Sequence, residues 1–342
     1  MSELKKARRS RVTSFDVARA AGVSQPSVSR AFTPGASITE ETRNRVLTAA
    51  RELGYVPNVF ASSLSKKSSG MIAVISGNLN NPFYSESLQV FVENFQRTGR
   101  QVLAFSVRDQ TGSDEVIMQA LRYPVDGIVM TSARVTSEMV KMSEGLGIPV
   151  VMFNRRVPGT NLATVQCDNA SGGAALARRM HAAGARDFLV LRGDPLGSTT
   201  NDRVGGFRRA LDEMGGATVT EVEGGSNYSG AYGAMMSRFG SPSPRWPDAI
   251  FAVNDIMAIG CADALRGNFG IRIPEDIMLA GFDGIREGQR EPYRLTTVRQ
   301  PIESMVSETL AILDHPGLRG PSLRLIPGDL IPGNTVRARG EA

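Results

Sequence analysis

The stretch Ala21–Phe32, AGVSQPSVSRAF, decides how this sequence is read. Val28, Ala31 and Phe32 recur at helical spacing, yet Pro26 precedes them. Inside a helix a proline loses a hydrogen bond and clashes with the turn before it, at a cost of roughly 3 kcal/mol. In the first turn it costs nothing, because the amides there have no intrahelical partner. The spacing therefore predicts a short helix that begins almost at Pro26. Ser24 is a good cap for it. Proline also disfavours helical geometry in the residue before it, which leaves Gln25 as an alternative cap. Either start puts Gln25, Pro26, Ser29 and Arg30 on the first turns.

The flanks give that helix two neighbours. Thr13-Ser14-Phe15-Asp16 fits a capping box, followed by apolar Val17, Ala18 and Ala21, and Gly22 closes this first helix. Thr39 opens a third helix, with Glu40 and Glu41 at the end that the macrodipole makes favourable for acids. Val46, Ala50 and Leu53 are expected to face inward, and Gly54 ends the run. Two short helices joined by a glycine turn form a helix-turn-helix pattern, in which the second helix enters the major groove of DNA.

Charge agrees with that reading. Residues 1–67 hold 12 Lys and Arg against 5 Asp and Glu, whereas all 342 residues together carry +5. A basic head on a slightly acidic body is the electrostatic footprint of nucleic-acid binding. The chain shows no apolar run near the ~20 residues of a membrane span and no apolar segment behind its basic start, so a cytoplasmic protein without a membrane partner is expected. Cys167 and Cys261 read as buried small hydrophobes, and His181 and His315 stand far apart. Neither a metal site nor a histidine-based catalytic triad is expected. No glycine motif for a nucleotide cofactor follows a predicted strand, so no cofactor and no enzyme are expected.

After Tyr55-Val-Pro-Asn58 comes VFASSLSKKSSG, serine- and lysine-rich but with Phe60 and Leu64 at helical spacing. It reads as a hinge that becomes helical on DNA, where Leu64 would wedge between base steps of the minor groove.

From Met71 the pattern alternates between short β-rich runs and helical stretches. The runs are MIAVIS, QVLAFS, DGIVMT, PVVMFN, LATVQC, DFLVLRG, TVTEVEG, AIFAVND and IMLAGFD. Such alternation means βαβ units with parallel sheets, and about nine strands suit two lobes. Ligands in such sheets bind beyond the strands' carboxyl ends. Polar residues cluster there: Asn78 and Asn81, Asn154 and Arg155, Asp168 and Asn169, Thr199 and Arg203, Asn254 and Asp255, and Asp283. A cleft lined with amides, carboxylates and arginines suits hydroxyl-rich or acidic small molecules.

Head, hinge and body together resemble the lactose/galactose-repressor (LacI/GalR) family. The resemblance rests on VTSFDVARAAGVSQPSVSRAF, ELGYVPN, NNPFY, FNR, CDNASGG, RVGGF, FAVNDIMAIG, GFD and LTTVRQP, in order over about residues 12–335. It implies an N-terminal all-α helix-turn-helix domain and an α/β periplasmic-binding-protein-like domain of two doubly wound parallel-sheet lobes. The implied domains are 1–57 for DNA, 58–69 for the hinge, 70–335 for effector and dimerisation, and a tail from 336 to 342. One lobe would comprise about 70–168 plus 299–320, the other about 169–298 plus 321–335, with three crossovers.

The resemblance further implies a repressor that binds double-stranded, pseudo-palindromic operator DNA as a homodimer. A small-molecule effector, a sugar or sugar acid, would bind between the lobes. Carried over by motif, Gln25, Pro26, Ser29 and Arg30 lie on the reading helix. Thr13, Ser24, Ser27, Thr42 and Asn58 make mostly backbone contacts, and Leu64 is the hinge leucine. The implied effector positions are Asn81, Phe83, Arg155, Thr199, Arg203, Tyr228, Asn254, Asp283 and Gln300.

Overall fold

The structure, a computed structural model, describes residues 12–33, 35–57, 68–107, 113–131, 136–157, 159–241 and 245–338. They form two compact units that divide between Gly70 and Met71.

The first unit holds three helices, α1 (Ser14–Ala21), α2 (Gln25–Ala31) and α3 (Glu40–Leu53). The capping box is present: the Asp16 amide donates to Thr13 Oγ1, and the Thr13 amide donates to Asp16 Oδ2 at 3.0 Å. Gly22 turns the chain with φ 63°, a conformation that costs a residue without Cβ nothing. Ser24 is the cap of α2, so Gln25 is its first residue and Pro26 its second. The Ser24 hydroxyl makes no capping bond; it pairs with Ser27 Oγ at 2.9 Å.

Val17, Ala18, Ala21, Val28, Ala31, Val46, Ala49 and Ala50 make the small core of this unit. Leu53, expected to face inward, is 39% exposed. It is the last residue of α3, and Ala49 takes the inward place instead. Two arginines of α3 reinforce so small a core. Arg43 donates to the carbonyl of Ala31 at 2.8 Å and Arg45 to that of Ala21 at 2.6 Å. Each guanidinium thus closes the C-terminus of a neighbouring helix, where free carbonyls and the dipole attract a cation.

The second unit carries two parallel sheets. The first contains β1 (Met71–Ser76), β2 (Gln101–Ser106), β3 (Gly127–Met130), β4 (Val150–Phe153) and β5 (Ala163–Cys167), with β11 (Leu323–Ile326) at its edge, in the order β11-β5-β4-β3-β1-β2. The second contains β6 (Asp187–Arg192), β7 (Thr218–Glu223), β8 (Ala249–Ala252) and β9 (Met278–Ala280), in the order β7-β6-β8-β9. The nine predicted runs are all strands. Their connections include α4 (Pro82–Arg97), α5 (Ser113–Ala120), α6 (Ser137–Gly145), α7 (Asn169–Ala182), α8 (Ser198–Met214), α9 (Tyr228–Phe239) and α10 (Asp255–Phe269).

The chain crosses between the sheets three times. It leaves the first after β5 and returns after β10 (Thr297–Arg299) into α11 (Ile302–Asp314), which packs on β4, β5 and α4. It leaves again through β12 (Asp329–Ile331), which pairs antiparallel with β10. This corrects one expected boundary. Residues 323–326 pair with β5 in the first sheet, so the last crossover follows Ile326 rather than residue 320. Only beyond it does the chain join the second lobe, where the Leu279 amide donates to the Thr335 carbonyl. Both cysteines are buried. Among the described residues no helix is long and apolar enough to cross a membrane.

Candidate functional site

The carboxyl ends of the two sheets meet. Asn81, just beyond β1, and Asp283, just beyond β9, are joined by a hydrogen bond of 3.5 Å from Nδ2 to Oδ2. Around Asp283 a buried cluster is built from both lobes. Arg203 Nη1 lies 3.0 Å from Asp283 Oδ1, and Gln300 Nε2 donates to the same oxygen at 2.7 Å. Arg203 also donates from Nε to Asn169 Oδ1 at 2.8 Å and from Nη1 to the Val253 carbonyl at 2.6 Å. Its guanidinium stacks 3.8 Å from the centre of the Phe282 ring.

Close helix packing explains that placement. A Cβ on Gly173 of α7 would stand 2.2 Å from the Arg203 carbonyl, and one on Gly206 of α8 would stand 2.0 Å from that of Ala170. Glycine at both positions lets the two backbones touch, which brings Arg203 against Asn169. The glycines of CDNASGG and RVGGF thus set the reach of the arginine.

Burial pushes the Asp283 carboxyl up, opposed by Arg203, Gln300 and Asn81. Asp255, fully buried at the start of α10, is pushed up to about 7 by burial and by the charge of Asp283. The Asp255 carboxylate accepts the Thr297 hydroxyl at 2.6 Å and the Ile285 amide at 2.9 Å. It thereby ties α10 to β10 and to the loop that carries Asp283. Asp283 itself has φ 124° and Asn154 has φ 67°. Non-glycine residues held at positive φ cluster at functional sites.

A second cross-lobe contact stands beside the cluster. Arg155, beyond β4, pairs with Asp194, beyond β6, at 3.3 Å. Its neighbour Arg156 donates its amide to Ser198 Oγ at 3.1 Å and pairs with Asp202 at 2.7 Å.

The other expected effector residues separate into groups. Thr199 is buried in the first turn of α8. Phe83 is fully buried, stacked on Phe153 and edge-on to Tyr84, so it belongs to the hydrophobic core. Asn254 accepts the Met257 amide at 2.9 Å and caps α10. The Tyr228 hydroxyl donates to Asp263 at 2.8 Å, an oxygen shared with Tyr293, and forms no part of the Asp283 cluster. Tyr84 stands in the field of Arg155, Arg203 and Asp283, and its hydroxyl accepts from Asn154 Nδ2 at 3.1 Å. The sequence motifs named Phe83 and did not single out Tyr84. The phenol tip was the available signal, since a buried tyrosine hydroxyl needs a partner.

On the head, Ser24, Pro26, Ser29 and Arg30 are exposed along α2, and Thr13 is exposed at the cap of α1. Gln25, Ser27 and Thr42 are half-buried. Gln25 Nε2 donates to Ser14 Oγ at 3.4 Å, which anchors the glutamine against α1. Asn58 and Leu64 lie outside the described residues. Phe15, which the sequence reading passed over, is 67% exposed on α1.

Residues 15–58 match the family model for bacterial regulatory proteins of the lacI family, and residues 72–290 match a periplasmic binding protein domain. The HTH-type transcriptional regulator DegA of Bacillus subtilis is 31% identical over 312 residues, covering 87% of this chain and 89% of DegA. The chain belongs to the LacI family. Another relative, the HTH-type transcriptional regulator GntR of Pseudomonas aeruginosa, is 32% identical over 86% of both chains. A crystal structure of the Lac repressor dimer, bound to operator and the anti-inducer ONPF, superposes with a TM-score of 0.84 at 22% identity. It covers 96% of this chain and 100% of its own. That likeness shows the fold: helix-turn-helix helices followed by the two-sheet periplasmic-binding-like body. As a LacI-family member the chain is a DNA-binding transcription regulator.

Proposed function

We propose that this LacI-family regulator is a repressor and not an enzyme. It binds a pseudo-palindromic operator as a homodimer in the cytoplasm, under control of a sugar or sugar acid held between the lobes. The observation that carries the reading is the buried Asn81–Asp283–Gln300–Arg203 cluster on the same chain as the exposed reading face of α2. A cluster contributed by both lobes gives a ligand different contacts in open and closed states, which is what shifts such an equilibrium. Gln25, Ser29 and Arg30 read bases, and Thr13, Ser24, Ser27 and Thr42 hold the backbone. Asn58 and Leu64 complete the contact from the hinge. Relatives support the effector class: one is named Ribose operon repressor, and one structural neighbour is a CelR–cellobiose complex.

The test is a gel shift of the full chain on its own promoter region at 50 and 200 mM salt. Specific binding should weaken by orders of magnitude, because phosphate contacts release counterions. The absence of any specific complex at the lower salt would overturn the reading.

A further inference from the structure

Among the described residues, two arginines of the cleft are already matched by carboxylates. Arg203 is committed to Asp283, and Arg155 to Asp194, with side chains 11% and 16% exposed in the second pair. Behind them stands Asp255, a further buried carboxylate. Neither of these two arginines therefore offers an unmatched charge to a carboxylate ligand.

The free hydrogen-bonding capacity points the same way. Arg155 spends Nη1 on Asp194, and its Nη2 packs on the backbone at Gly197, where a Cβ would stand 3.0 Å away. Its Nε is buried and has no partner. That buried Nε donor is open to a hydroxyl or ring oxygen, while the charge of the guanidinium is already met by Asp194.

Four further buried atoms without a partner are oxygens: Ser76 Oγ, Asn154 Oδ1, Gln166 Oε1 and Gln300 Oε1. They lie at the carboxyl ends of β1, β4 and β5 and beside Asp283. The orientation of both glutamines is fixed by chemistry. Gln300 must turn its amide nitrogen to Asp283, and Gln166 donates to Asp202, so oxygen is what each leaves over. Amide oxygens accept hydrogen bonds from hydroxyls and can take none from a carboxylate.

We propose that Asp194 sets the effector class: by engaging Arg155 it commits the cleft to a neutral, hydroxyl-rich ligand and excludes the corresponding acid. The inference rests on the effector reading above. Asp194 is held for this task, since its Oδ1 accepts the Leu196 amide at 3.0 Å and its own amide donates to Ser226 Oγ at 2.7 Å.

The experiment is isothermal titration of the full chain with pairs that differ in one carboxylate: glucose and glucuronate, galactose and galacturonate, ribose and ribonate, cellobiose and cellobionate. The wild type should bind a neutral member at least tenfold more tightly than its acid. Asp194→Asn should gain at least tenfold for that acid, and the double variant Asp194→Asn with Arg155→Gln should lose the gain. Equal or tighter binding of the acid by the wild type overturns the inference while leaving the effector reading intact, and needs no variant to fold. An unchanged acid affinity in a folded Asp194→Asn protein overturns it too. Silence of every pair with every protein removes the effector reading and this inference together.

Discussion

Arg203 and Asp283 stand 3.0 Å apart with side chains only 5% and 3% exposed, an ion pair that closes the second lobe beneath the cleft. Removing one partner of such a pair leaves an uncompensated buried charge, at a cost of about 3–5 kcal/mol. Arg203→Met should therefore destabilise the effector unit by about that much in urea unfolding. Asp283→Asn should cost at least as much, because it leaves the Arg203 guanidinium buried without its counter-charge, and an arginine cannot shed its proton as a carboxyl can take one up.

Asp255 gives a pH dependence with a defined sign. Its folded pKa of about 7 lies above the ordinary carboxylate value, so the folded state holds the proton more tightly than the unfolded chain. Its contribution favours folding at low pH and is lost progressively as pH rises from about 4 to about 7. The melting temperature of Asp255→Asn relative to wild type should rise between pH 5 and pH 8. A constant difference across that range would contradict the assignment.

Gly173→Ala tests the helix contact. A Cβ 2.2 Å from the Arg203 carbonyl forces α7 and α8 apart. Overpacking of this kind typically costs about 1–3 kcal/mol, and here it also shifts Arg203. Effector affinity should fall by at least tenfold while operator affinity without effector changes less, measured by titration and gel shift on one preparation.

Pro26→Gln tests the reading helix. Pro26 is exposed and has no amide to donate, so it offers a base at most apolar contact, such as to a thymine methyl. A glutamine there should change which operators are preferred in a selection from randomised half-sites. An unchanged preference would place base reading elsewhere.

How far the sequence could be read depended on distance along the chain. The capping box of Thr13 and Asp16, the turn at Gly22 and the place of Pro26 follow from interactions within four residues, and the structure repeats them. Nine of the ten strands of the two parallel sheets followed from apolar runs. The strands β10 and β12, three residues each, and β11, with its outward leucines, carry no such run. Their pairing is decided by partners about 30 to 160 residues away, which is why the last crossover was misplaced. The site shows the same limit. Motifs named Asn81, Arg203, Asp283 and Gln300, which the fold joins. Asp194 stands 39 residues from Arg155, in a loop whose sequence gives no sign of the pairing. Nor does the sequence around Tyr228 show that its hydroxyl donates to Asp263 on the neighbouring helix.

One ligand between the lobes should govern the hold of α2 on DNA. Footprinting of the full chain on its operator, with titration of whichever sugar binds it, tests this most directly. The expected result is a protected pseudo-palindrome whose apparent Kd shifts at least tenfold over the concentration range in which the sugar binds. Saturation with the sugar and no shift in operator Kd would contradict it.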